Sequence, residues 1–231
     1  MSERPDESVV GIAPPPRKSD KLFRSDSEWI TNACVNYTHN PDHLYTNGYR
    51  VAARSLAEQV CESQRQQDSL IYPIVYLYRH CIELLLKDVT FTASALLDKE
   101  LTEQEIKALG RHELNKLWEQ LRPLLNAVCE CVGNAPFPDE DLEGIDSYIQ
   151  QLHEHDPDGQ RFRYTTVKKQ KKKTSNGNTP ASEPSLKPDL KLINIRVFAN
   201  AMETLVDYLD GIEGWFSHLL GEKHEMERSF F

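Results

Sequence analysis

An imidazole set beside guanidinium groups is the equipment of a general base acting on a phosphodiester, with the guanidiniums holding the phosphate. The chain carries such a set. Arg79 and His80 are adjacent, His112 follows Gly110, and Arg161 and Arg163 lie just after an Asp156-Pro157-Asp158-Gly159 turn. His112 and Arg79 are the candidate catalytic pair. His80, Glu83, Lys87, Arg161 and Arg163 are the candidate substrate contacts. Without chemistry, the same residues describe a phosphate-binding groove. His112 lies close to an expected helix start, where the positive end of the helix dipole favours an uncharged ring.

Four of these residues fall in the most apolar stretch of the chain, residues 70–89, which reads LIYPIVYLYRHCIELLLKDV. At about 100° per residue, Tyr76, Arg79, His80, Glu83 and Lys87 share an arc roughly 100° wide. Ile74, Val75, Leu77, Tyr78, Cys81, Ile82, Leu84, Leu85, Leu86 and Val89 cover the rest of the circumference. A helix so apolar must be packed on several sides. Its polar stripe then opens into a groove or an interface, or is paired internally, because an uncompensated buried charge costs several kcal/mol. Arg79 with Glu83, and Glu83 with Lys87, also form i,i+4 pairs that support a solvated helix by a few tenths of a kcal/mol each. The alternative to a groove is therefore a structural ion-pair ladder in a non-enzymatic helical interaction or dimerisation protein.

Other chemical templates are missing. There is no phosphate-cradling glycine loop, no GxSxG and no HExxH. His153 and His155 stand two apart, which on a helix points them away from each other. His39 and His43 bracket Pro41, which argues against one regular helix beneath them. Cys34, Cys61, Cys81, Cys129 and Cys131 form no CxxC pair. Neither a metal nor a cofactor is expected. The net charge of −9 offers nucleic acid or anionic lipid no whole-chain attraction, so any such partner needs a local site. Arg79, His80, Glu83 and Lys87 interrupt the best apolar run, so no membrane span is expected. The polar, proline-containing start has no signal-peptide apolar region, and a reducing cytoplasmic setting follows as the expectation.

Several elements must hold these residues in place. Residues 1–22 have too few apolar side chains to order themselves and are expected to be a disordered tail. Asp26 or Ser27 could cap a short helix bearing Trp29 and Ile30. Residues 41–62 read as a helix whose inner face is Leu44, Val51, Leu56 and Val60 with Ala52, Ala53 and Ala57. Pro73 suits the first turn of the central helix, where no N–H is needed. Thr102 and Glu105 make a capping box for a short helix that stops at Gly110. A helix from Arg111 carries Leu114, Leu117, Trp118, Leu121, Leu124, Leu125 and Val128 inward, with a kink at Pro123. Another runs from Asp139 to about His153, and residues 161–167 read as extended. Lys168, Lys169, Lys171, Lys172 and Lys173 open a low-complexity stretch expected to be disordered. A helix from Asp189 to Leu209, with Leu192 inward, precedes a second apolar pattern beyond Gly211. The class is all-α: a single bundle of five to seven helices. Its parts are a tail (1–22), a core (23–167), a basic linker (168–188) and C-terminal helices (189–231).

The segments YLYRHCIELLLK, GRHELNKLW and RFRY, followed by a linker and a last amphipathic helix, resemble the HEPN-like helical proteins of bacteria and phages. The resemblance covers roughly residues 42–210. It implies a small all-α domain associated with nucleotide or RNA binding, toxin–antitoxin pairs and anti-phage defence. Ribonuclease members carry an arginine and a histidine a few residues apart late in the fold. No pair here has that spacing, and Arg196 is followed by no histidine until His218. The resemblance implies RNA or nucleotide as partner in a cationic groove; a homodimer or partner protein belongs to the alternative ladder reading, and no membrane partner is expected.

Overall fold

The computed structural model describes residues 17–19, 21–38, 42–168 and 182–229. The chain divides into two compact units, Met1–His39 and Asn40–Phe231. In the first, the described residues form a single 3-10 turn, Trp29–Thr31, preceded by Glu28 at the capping position. Trp29 and Ile30 are exposed, so this turn has no core. The Asn32 side chain closes it, donating to the Asp26 carbonyl at 2.7 Å and accepting from the Asp26 N–H at 2.9 Å. The tail expected over 1–22 lies mostly outside the described residues.

The second unit is an all-α bundle. Its helices are α1 (Asp42–Ser63), α2 (Gln67–Leu96), α3 (Glu103–Leu109), α4 (Leu114–Cys131), α5 (Asp139–His155) and α6 (Ile195–Ser229). A small antiparallel ribbon, β1 (Thr166–Lys168) and β2 (Ser182–Pro184), lies between α5 and α6 in the chain. The linker expected over 168–188 is therefore shorter: 182–184 are held by main-chain pairing, and 169–181 lie outside the described residues.

α2 is the axis of the bundle, packed by α1, α4 and α6. Length and composition alone would also let it cross a bilayer; here its apolar surface is spent on the core instead. Gln64 and Gln66 adopt left-handed backbone, with φ of 55° and 61°, and turn the chain sharply out of α1. The Gln66 carbonyl then accepts from the N–H groups of Ser69 and Leu70, which closes the first turn. α2 consequently begins ahead of the expected start, and Pro73 lies inside it rather than in its first turn.

Other boundaries moved for identifiable reasons. The capping box forms as expected: Thr102 Oγ1 accepts from Glu105 N at 3.3 Å, and Glu105 Oε2 accepts from Thr102 N at 2.8 Å. α6 begins at Ile195 rather than Asp189, with Asn194 Oδ1 accepting from Val197 N at 3.1 Å. Leu192 thus lies outside the helix and is 93% exposed, not inward. α6 runs unbroken through Gly211 and Gly214 because Ile212 and Phe216 are buried, and that packing outweighs the roughly 1 kcal/mol each glycine costs. On α1, the buried face is Ala53, Ala57 and Val60, while Val51 is 51% exposed.

Two polar staples fix the frame. Glu203 on α6 accepts from Arg50 on α1 at 2.7 Å and from the Tyr78 hydroxyl on α2 at 2.8 Å. Lys223 on α6 donates to the carbonyls of Ala95 and Leu96, at 3.1 and 3.2 Å, and pairs with Asp98 at 2.6 Å. Those carbonyls belong to the last turn of α2, beyond the helix's own N–H ladder, and the Ala95 carbonyl also accepts from the Asp98 N–H at 3.3 Å.

Candidate functional site

The polar stripe of α2 is not splayed into solvent. Arg79 and Glu83 are each 2% exposed, as is Asp156, the residue that follows α5. Arg79 spends its guanidinium inside the protein. Its Nη1 meets Glu83 Oε2 at 3.3 Å, its Nη2 donates to the His112 carbonyl, and its Nε donates to the Asp156 carbonyl at 3.2 Å. Asp156 Oδ2 stands 3.3 Å from the same Nε, a distance and alignment that make it an ion pair rather than a good hydrogen bond. One buried cation therefore faces two buried carboxylates, and Lys87 supplies the second cation at 2.8 Å from Glu83 Oε1. Burial alone would push the Glu83 carboxyl up; the hydrogen bonds from Lys87 and His112 outweigh it and hold the carboxyl below its ordinary value.

The turn after α5 is shaped around this arginine. Asp156 Oδ1 accepts from the Arg161 N–H at 2.9 Å, so the turn closes on its own first residue. Gly159 has a left-handed φ of +74°, and a Cβ there would lie 2.7 Å from Arg79 Nη1. Only a residue without a side chain fits against the guanidinium.

Above the buried network lies an accessible rim. The His112 side chain is 63% exposed, yet its Nδ1 sits 2.8 Å from Glu83 Oε1. Glu83 thereby fixes one ring nitrogen and leaves Nε2 as the free edge. His80 is half-buried, stacked on Tyr76 with centroids 5.8 Å apart and met edge-on by Tyr49 at 4.5 Å. Burial pulls the His80 imidazole below its usual value; Glu83 opposes this, while Lys87, His112 and Arg79 add to it. Arg163 lies over the Tyr76 ring at 5.1 Å and the Tyr164 ring at 5.3 Å. Chemically, the rim can donate to an anionic oxygen through Arg163 and through a charged His112. A neutral His112, with Nδ1–H given to Glu83, presents an acceptor that can take a proton.

The residues singled out from the sequence thus separate into three groups. His80, His112 and Arg163 reach the rim, with Lys87 at its edge, still partly exposed. Arg79 and Glu83 come together with His112 but below the surface, so neither stands where a ligand on the rim would touch it. Arg161 does not join them. Its guanidinium runs to the Ser185 carbonyl at 3.1 Å, toward the ribbon, because its backbone is committed to Asp156.

Asp156 and Gly159 were legible only as a turn, although a buried arginine facing a single carboxylate on its own helix calls for a second acid nearby. Tyr49 carried no signal beyond its composition, since its contact with His80 crosses between elements. No family model, curated protein or solved structure matches the chain.

Proposed function

We propose that the chain is a HEPN-like helical domain that holds the phosphate of a nucleotide or RNA on the rim of His112, His80, Lys87 and Arg163. The observation that carries this reading is the Glu83–His112 contact at 2.8 Å. A buried carboxylate, itself anchored by Arg79, orients an exposed imidazole beside other nitrogen-bearing side chains. Such pre-orientation is of little use to a surface histidine unless something is presented to its far nitrogen. Binding without cleavage is the expected activity, since the ribonuclease spacing is missing and Arg79 is enclosed. The toxin–antitoxin or defence setting enters through the HEPN resemblance and is part of the same proposal.

The test is binding of a labelled mixed-sequence RNA, by fluorescence anisotropy at two salt concentrations, to the parent and to His112→Ala and Arg163→Ala. Each substitution removes one charge-assisted contact and is expected to weaken binding by roughly 1.5–3 kcal/mol. Both side chains are exposed, so the fold should survive. No binding by the parent at low salt would end the proposal.

A second reading is favoured by one observation: Arg79, Glu83 and Asp156 are all enclosed, with each guanidinium nitrogen holding a partner inside the protein. In this reading the stripe is a structural clasp in a helical interaction or dimerisation protein. It gains if the parent binds no RNA while self-association or partner binding depends on exposed side chains of the bundle.

A further inference from the structure

Between α2, α5 and the start of α6 lies a hollow of about 300 Å³. Its floor is apolar and rigidly built: Val75, Leu152, Phe162 and Met202 are buried core side chains on separate elements. At its edge Leu192 and Val197 are left in solvent, 93% and 67% exposed. A concave apolar surface ringed by exposed apolar side chains has an unmet hydrophobic driving force of roughly 25 cal/mol per Å² covered.

We propose that this hollow binds a small, uncharged, largely apolar molecule with a single hydrogen-bonding group. Three observations choose that occupant. The volume falls at the lower end of small-molecule pockets, and apolar cavities about half as large take up an aromatic ring. A helix, about 10 Å across with its side chains, needs a long open groove rather than a hollow of this size. The charge of the ligand is set by Asp156, which lines the hollow with its carboxylate already paired to Arg79. An anion would meet that carboxylate, and a cation would compete with Arg79 for it. The polar side chains at hand for the one hydrogen-bonding group are Tyr148, Gln151, His155 and Asn194, and of these His155 has a buried Nδ1 with no hydrogen-bond partner.

The hollow shares Asp156 with the buried network but none of its lining with the rim, and it needs no phosphate ligand. Its probe is 1-naphthol, with the 1-naphthoate anion as the charged control, titrated calorimetrically into the whole chain. 1-Naphthol should bind saturably, one per chain, and raise the melting temperature, while naphthoate should bind at least tenfold more weakly. Ala201→Phe projects a ring into the hollow and should weaken 1-naphthol at least tenfold with a cooperative melt retained. Val197→Glu, at an exposed position that no core packing depends on, should weaken it similarly even if Ala201→Phe fails to fold. No saturable binding, equal binding of naphthoate, or binding unchanged by Val197→Glu would overturn the proposal. So would a concentration-dependent dimer that Val197→Glu dissolves, which would make the hollow a contact between copies.

Discussion

Gly159 offers the sharpest test of the clasp, because a matched control exists in the same chain. Gly133 and Gly159 share nearly the same left-handed backbone, φ +72° and +74°. An added Cβ at Gly133 meets nothing within 4 Å, whereas at Gly159 it meets Arg79 Nη1 at 2.7 Å and Cζ at 3.2 Å. Gly133→Ala therefore isolates the backbone cost, about 1–2 kcal/mol for an L-residue in that region. Gly159→Ala adds a clash with a side chain that cannot swing aside without breaking its contacts to Glu83, Asp156 and the His112 carbonyl. Overpacking of this kind costs about 1–3 kcal/mol more, for a total of roughly 2–5. Urea unfolding followed by circular dichroism gives both losses from the shift in midpoint, provided the slope is unchanged. Equal losses in the two variants would show that the guanidinium yields freely, and the rigid clasp would have to be abandoned. A third variant, Gly48→Ala in α1, also meets open space but with helical backbone, and should gain about 0.5–1 kcal/mol.

Glu83→Ala strands Arg79 and Lys87 around a deleted charge and should cost about 3–5 kcal/mol, while Glu83→Gln, which keeps the shape, should cost less; parent-like denaturant midpoints for both would mean the stripe is merely solvated. Asp88 is pushed up to about 7 by burial, with the carboxylates of Asp42 and Glu213 adding to it. A raised folded-state value means its contribution to stability is complete below the unfolded value near 4 and lost as pH rises through 7. Asp88→Asn should then be more stable than the parent at pH 8 by about 1–2 kcal/mol, after discounting for its partial exposure, with the gap closing toward pH 4; identical melting temperatures at pH 8 would contradict this. Lys223→Ala should leave the Leu96 carbonyl to water and the Ala95 carbonyl to the Asp98 N–H alone, at about 0.5–1.5 kcal/mol, and hydrogen exchange should quicken in the last turn of α2 but not in its centre.

Local signals were legible in the sequence because they need no partner from elsewhere. The Thr102–Glu105 capping box and the Asp156–Gly159 turn depend on residues within a few positions of each other, and both are found where their spacing put them. The burial of α2 followed from its own apolar circumference. What failed to show was decided by distant neighbours. Gly211 looked like a break because propensity is local, whereas Ile212 and Phe216 are held by packing across the bundle. Ser182–Pro184 looked like linker because its pairing with Thr166–Lys168 leaves no periodic trace. Within the candidate site, His112 comes to Glu83, whereas Arg161 turns away to the Ser185 carbonyl, and neither outcome could be read from the spacing. The depth of Arg79 was hidden, because the carboxylate of Asp156, which helps make such burial tolerable, comes from a turn 77 residues away.

The position of α2 between α1, α4 and α6 also has a consequence for the newborn chain. α2 ends at Leu96 and α6 starts at Ile195, so 99 positions separate the two (195 − 96). At translation speeds of about 5–20 residues per second, the side of α2 meant for α6 waits roughly 5–20 seconds after the helix is made. The residues uncovered in that interval include Tyr78, fully buried against Phe198 and Glu203 of α6 in the finished bundle. A ribosome-bound intermediate of this chain is therefore a hydrophobic rod sheathed by its hairpin partner α1 and then by α4, but bare on its α6 side, and should depend on holding chaperones until α6 arrives to cover it.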